Sequence, residues 1–171
     1  MHPLLTPQLR KSLLREMLYQ LPVTHIATLN VEPLYRNSND LCQVLQQFIR
    51  KFNRSLWGGN GYASGKRMGI VAFVHARKHI DDTHIHMGLW NLPVQKDDTE
   101  LKQRFYQAAK NTTGVLYTET QAPRRGNLAV HFEPQQTGGW IGYCSRLLAD
   151  STDANCLIEL LHTPGDFHFN Q

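Results

Sequence analysis

The sequence predicts an α+β fold in which a central antiparallel sheet carries helices on one face and leaves the other face open. Three observations point there. First, the stretch Thr83 to Trp90 alternates strictly, with Ile85, Met87 and Leu89 on one side of a strand and His84, His86, Gly88 and Trp90 on the other. Second, the apolar residues from Leu41 to Leu56 recur at helical spacing, so long helices are available to cover the apolar sides. Third, the order of segments reads helix, strand, helix, strand, strand, helix, strand, strand, helix, with no internal repeat and no linker. Residues 1–171 therefore read as one domain, with the site expected on the open face.

Taken in order, Thr6 and Pro7 open a first helix, since threonine can cap and proline suits the first turn. Leu9, Leu13, Leu14, Met17 and Leu18 then follow at helical spacing to an end near Leu21 and Pro22, a face suited to the core or to a second subunit. Val23 to Val31 changes to two-residue alternation, with Thr24, Ile26, Thr28 and Asn30 on its more polar side. Asn37 to Asp40 caps the second helix, which Gly58 and Gly59 stop. Met68 to His75 has the composition and length of a strand. Arg77 to Thr83 turns the chain back, so the His84 strand forms the second arm of a hairpin. Asp97 with Glu100 makes a capping box for a helix through Lys110 with Leu101, Phe105 and Ala109 inward. Val115 to Thr118 and Leu128 to Phe132 read as strands, and Gly138 and Gly139 introduce a last helix, Trp140 to Ala149.

Composition limits the function classes. With 171 residues, 41% hydrophobic and 19% charged, the chain is ordinary globular material. Three cysteines, Cys42, Cys144 and Cys156, are odd in number and unrelated in spacing, which argues against a disulfide framework and for a reducing, cytoplasmic setting. No apolar run approaches the roughly 20 residues of a membrane helix, so no membrane partner is expected. The net charge of +4 permits nucleic acid, and the basic residues come in pairs: Lys66 with Arg67, Arg77 with Lys78, Arg124 with Arg125. All three pairs fall in expected loops at strand ends, where long cationic side chains can grip phosphates.

The chemistry concentrates in two places. His84 and His86 project from the same side of a strand, and two imidazoles at that spacing can bind one metal ion; Gly88 after them adds no bulk, which is expected to leave an opening for a large ligand. A third ligand is needed. His75, near the end of the preceding strand, is the first choice, with His79, Asp81 and Asp82 in the turn as reserves. The second place is Gly139 to Arg146, where Tyr143 and Arg146 stand three apart and are neighbours if helical. A phenol with a pKa near ~10 is a poor nucleophile unless a cation or metal favours its phenolate, and Arg146 is a fixed positive charge suited to that task. Trp90 and Trp57 are aromatic platforms on which unpaired bases could stack, although core packing is the commoner fate of such residues.

A His-hydrophobic-His strand followed by a helix bearing Tyr-x-x-basic resembles the HUH endonuclease superfamily, whose members nick and rejoin single-stranded DNA. The resemblance spans most of the chain. His25 to Asn30 is similar to the family's first motif strand, His84 to His86 to its metal-binding doublet, and Tyr143 to Arg146 to its nucleophile motif. One candidate nucleophile makes it similar to the single-tyrosine class, which holds rolling-circle replication initiators and small transposases of the replitron and related kinds. The resemblance implies an HUH or RRM-like sheet, a Rep-like or transposase role, single-stranded or hairpin DNA as partner, and a 5′-phosphotyrosine intermediate on Tyr143 with Arg146 assisting. It also implies a divalent metal on His84, His86 and His75, either Mn²⁺ or Mg²⁺, with Mn²⁺ favoured if all ligands are nitrogen. Two details depart from the pattern: the usual lysine is Arg146, and the usual acidic or other polar third ligand is a histidine. A homodimer is a further expected partner, since strand exchange by a single-tyrosine enzyme often engages a second subunit.

Two readings compete. A nucleotide hydrolase of the histidine-triad kind alternates three histidines along a strand, but here the third place is Gly88. A non-catalytic domain that binds origins or hairpins would keep the fold without the chemistry, and would not need Tyr143, the doublet and a cation together. A cupin-like metal site is disfavoured because Gly88 to Pro93 supplies no glutamate.

Overall fold

The structure, a computed structural model, describes residues 7–35, 38–76, 83–117, 130–136, 139–142 and 158–161, some of them, including 74–76, 83 and 158–161, by their backbone alone. Within these the chain forms helix α1 (Pro7–Gln20), strand β1 (His25–Val31), a single 3₁₀ turn at Pro33–Tyr35 and helix α2 (Ser38–Ala63). Strands β2 (Gly69–Ala76) and β3 (Thr83–Trp90), helix α3 (Asp98–Lys110) and strands β4 (Val130–Pro134) and β5 (Ile158–Leu161) follow. The five strands form one sheet in the order β4-β1-β3-β2-β5. Every neighbouring pair is antiparallel. Strands β1 and β2 are therefore mutually parallel with β3 between them, and β3 and β4 are mutually parallel with β1 between them. Helices α2 and α3 make the two crossovers, which interleaves two β-α-β units in one sheet.

The α2 periodicity accounts for the first layer. Leu41, Val44, Leu45, Phe48, Ile49, Phe52 and Leu56 are all buried, and with Leu101, Phe105, Ala108 and Ala109 of α3 they cover Ala27, Leu29, Ile70, Ala72, Ile85, Met87, Leu89, Val130 and Phe132 of the sheet. At the centre, the Phe105 ring lies 5.0 Å from Phe48, 5.4 Å from Phe52 and 5.0 Å from Phe132. The capping signal at α3 is also realised, because Asp97 Oδ1 accepts from the Glu100 N–H at 2.7 Å.

Gly58 interrupts α2 as expected, with φ 66 and ψ 177, a backbone region open only to glycine, but the chain resumes helical form through Ala63. One strand reading changes and one strand is new. Of the strand expected from Val115, residues 115–117 make only an isolated bridge, Val115 to Val31, past the end of the β1–β4 ladder. Ile158–Leu161, a short strand in which Glu159 interrupts the apolar residues, pairs with the outer side of β2.

The open second face is half corrected. Val71 and Phe73 of β2 are fully buried on that face, under Leu18 of α1 and Ile141 of a helical turn at residues 139–142. Of the α1 apolar residues, Leu18 packs inward while Leu9, Leu13 and Met17 remain exposed. No helix of the described residues is long and apolar enough to cross a membrane.

A candidate metal site on the second face of the sheet

The two-residue period of β3 does what its sequence requires: Ile85, Met87 and Leu89 are fully buried in the helix-covered core, which turns His84 and His86 to the opposite face. There the two rings meet edge to face with centroids 5.1 Å apart. Two imidazoles each bound through one nitrogen at about 2.1 Å, in directions near a right angle, leave their centroids roughly 5 Å apart, so the doublet fits a shared ion.

Cross-strand register supplies the surroundings. His84 stands opposite Asn30 of β1 and His75 of β2, while His86 stands opposite Thr28 and Phe73. The expected proximity of His75 to the doublet is thus met at the level of the backbone, since directly opposed positions in antiparallel strands hold their Cβ atoms about 4.5–5.5 Å apart. Thr28 Oγ1 lies 3.0 Å from His86 Nδ1, which ties that ring to β1 and directs its Nε2 away from the bond. Nε2 itself is closed off from solvent. One strand further out, His131 of β4 stands opposite Thr28, with its Nε2 3.3 Å from Glu133 Oε2. A band of polar side chains therefore crosses three strands, His131 then Thr28 then His86, with Asn30 and His84 in the next row.

Thr28, Asn30 and His131 are the residues that sequence reasoning did not bring to the site. Thr28 and Asn30 were visible as the polar side of their strand. What connects them to the histidines is the placement of β1 next to β3, and no local pattern encodes that. His131 had no signal beyond its place in a short apolar strand.

Gly88 does not serve as an opening. A Cβ built there would meet Trp140 at 2.7 Å and Val23 at 3.0 Å, so the missing side chain is replaced by an indole from the turn at 139–142. The same Trp140 ring lies 5.6 Å from Phe73, the cross-strand partner of His86. Trp90, six positions beyond His84 and so about 20 Å along the strand, packs over Gly69, where a Cβ would fall 1.9 Å from its ring. Its indole belongs to the apolar cover of this face, and any stacking on a base would use only the exposed part of the ring.

His25 lies on the other side of its strand. It is buried with its ring 5.1 Å from Phe132, and its Nε2 is 3.2 Å from Asp98 Oδ1, joining the start of β1 to the start of α3. Its role in the described geometry is structural.

Tyr143, Arg146, Arg77, Lys78, Arg124 and Arg125 lie outside the described residues, as do the reserve ligands His79, Asp81 and Asp82, and so does the side chain of His75. Among the described residues no three histidine, cysteine, aspartate or glutamate side chains come together as a metal site. Lys66 and Arg67 precede β2, at the end of the hairpin remote from His84. Compared with known proteins, the chain matches no family model, no curated protein and no solved structure.

Proposed function

We propose that this chain is a metal-dependent endonuclease and strand transferase for single-stranded DNA, of the HUH single-tyrosine kind, serving rolling-circle replication or transposition. The interleaved β-α-β topology, with a histidine pair on the face away from α2 and α3, agrees with the HUH or RRM-like sheet that the sequence pattern implies. The observation that carries the reading is the seat of Trp140. It packs on Gly88 and Phe73, beside His86, and it stands three positions before Tyr143. Tyr143 is bonded to Gly142, the last described residue of that turn, and adjacent Cα atoms are about 3.8 Å apart. The turn that ends at Gly142, one residue before Tyr143 in the sequence, is thereby packed against the histidine face.

In this reading His84 and His86, with His75 as third ligand, would hold a divalent metal, which would supply Lewis-acid polarisation of a phosphate oxygen. The side chains do the rest. The Tyr143 oxygen attacks phosphorus, a tyrosine–phosphate ester forms, the bond from phosphorus to the 3′ oxygen breaks, and that oxygen leaves as a 3′-hydroxyl after taking up a proton. Arg146 stabilises negative charge on the phenolate and on the pentacovalent phosphate. Attack by another 3′-hydroxyl reverses the sequence and joins strands.

The test is a covalent adduct. Incubation with pools of single-stranded oligonucleotides and Mn²⁺ is expected to produce a protein–DNA band resistant to denaturant, and Tyr143→Phe is expected to abolish it. A protein that shifts DNA without forming an adduct is a binding domain, and one that consumes small nucleotides independently of Tyr143 is a hydrolase. Either result removes the proposal.

A further inference from the structure

At the end of the sheet where β2 begins, two cations gather on one aromatic ring. The guanidinium carbon of Arg67 lies 3.7 Å from the centroid of Tyr62, and that of Arg54 lies 5.4 Å from it. Arg67 is further fixed by donating from Nη1 to the carbonyls of Tyr62 at 2.5 Å and of Lys66 at 2.8 Å. Asn91, just past β3, donates from Nδ2 to the Arg67 carbonyl at 2.6 Å, which anchors this loop to the far end of the histidine strand. Arg54 and Lys66 are exposed.

The pairing of these charges sets them apart. At the start of α3, Lys96 from the preceding turn and Arg104 from the helix both bond the Glu100 carboxylate, and these contacts, that of Lys96 first, hold its carboxyl below the ordinary carboxylate range. Among the described residues no carboxylate is paired with Arg54, Lys66 or Arg67. Two guanidinium groups held on one ring, without a counter-charge and with Lys66 next to one of them in the sequence, repel one another, and a bound anion would relieve that repulsion. A guanidinium has five N–H donors, and Arg67 spends Nη1 on the carbonyls, so donors remain for a phosphate.

We infer that Arg54, Tyr62, Lys66 and Arg67 form a docking site for the phosphate backbone of the single-stranded DNA, remote from the point of cleavage. This rests on the nicking reading for its ligand and deepens it by giving the strand a second anchor. Along the β2–β3 hairpin, the six positions between the His84 level and the Trp90 level span about 20 Å. At about 3.4 Å per stacked nucleotide that is roughly six nucleotides between the scissile phosphate and the anchor. The exposed edge of Trp90 lies along that path.

The measurement is fluorescence anisotropy of a labelled single-stranded oligonucleotide over a range of salt concentrations, with adduct formation followed in parallel. Each phosphate contact to a single strand contributes about 0.7 to the slope of log K against log salt. Arg54→Gln and Arg67→Gln are each expected to lower the slope by about 0.7 and to weaken binding several-fold. At saturating DNA, the rate of Tyr143 adduct formation should be unchanged. Lys102→Gln, an exposed cation on α3, should leave the slope alone. Arg67→Lys, which keeps the charge and loses the planar fork, should keep the slope and weaken binding. Oligonucleotides shortened below about six nucleotides on the anchored flank should bind the parent protein and the double Gln variant equally. A folded double variant with the parental slope overturns the inference while leaving the nicking reading intact. A slope that depends on the cluster in a protein that forms no adduct upholds the docking site and removes the nicking reading instead.

Discussion

The two faces of the sheet are built by different means. On the first, α2 and α3 are each adjacent in sequence to the strands they cover, and together they bury a continuous apolar layer centred on Phe48, Phe52, Phe105 and Phe132. On the second, the cover is assembled from segments far apart in the sequence, Leu18 of α1 and Trp140 with Ile141. It stops short, leaving the polar band of His84, His86, Thr28, Asn30 and His131. The first face carries the larger core, and the second carries a boundary between packing and the candidate site. The difference teaches where change is tolerated: a side chain lost from the first face removes core, whereas one changed on the second repositions a site.

The sharpest way to break that contrast is to cut into the phenylalanine cluster. Phe105 is fully buried against three other rings, so Phe105→Ala is expected to cost about 3–5 kcal/mol, the usual toll for emptying an aromatic position in a core. Urea denaturation followed by circular dichroism measures it. A loss under about 1 kcal/mol would mean that the first face collapses around the gap and is not the rigid layer described here.

Gly88→Ala probes the second face and should cost less. The added methyl would meet the rim of Trp140 at 2.7 Å, and a Trp packed against Phe73 cannot swing away freely, so overpacking of about 1–3 kcal/mol is expected. Pairing the change with Trp140→Ala removes the obstacle. The double variant should therefore be less destabilised than the sum of the two single ones, a coupling that a double-mutant cycle reads directly. Strict additivity would show that Trp140 does not rest on β3.

How much of this was legible follows from the same contrast. The first face is written in local periodicity: the α2 stripe, the inward residues of α3 and the alternation of β3 can each be read within a dozen residues, and the structure reproduces them. The pairing of β2 with β3 that brings His75 near the doublet was expected too, because the two strands are neighbours in the sequence; the register itself comes from the structure. The second face depends on contacts between distant segments. That Trp140 would fill the notch at Gly88, that Ile158–Leu161 would join β2, and that β1 would bring Thr28 to His86 are facts of chain reversal over tens of residues. Gly88 looked like an opening for a ligand because a glycine in a strand signals close approach without saying what approaches.

The smallest change in stability should carry the most information about the site. Thr28 lies between β4 and β3, and its hydroxyl is 3.0 Å from His86 Nδ1. A hydroxyl can donate or accept, so the bond tolerates both neutral forms of the ring, but only the form with Nδ1–H donating to Oγ1 leaves Nε2 with a lone pair for a metal. Removing the hydroxyl in Thr28→Val keeps the shape and the β-branch, so stability should fall by only about 1 kcal/mol, the net worth of one hydrogen bond. Mn²⁺ affinity should fall about 10- to 100-fold, as it does when a ligating histidine loses the partner that orients it. Thr28→Ser should restore it. Nitrogen chemical shifts of the His86 ring provide a second readout that needs no bound metal: they should agree between the parent and Thr28→Ser and should differ in Thr28→Val, where Nδ1 loses its hydrogen-bond partner. If Thr28→Val leaves both the shifts and the Mn²⁺ affinity at parental values, the bond is packing only, and the polar band stops being a site held together across strands.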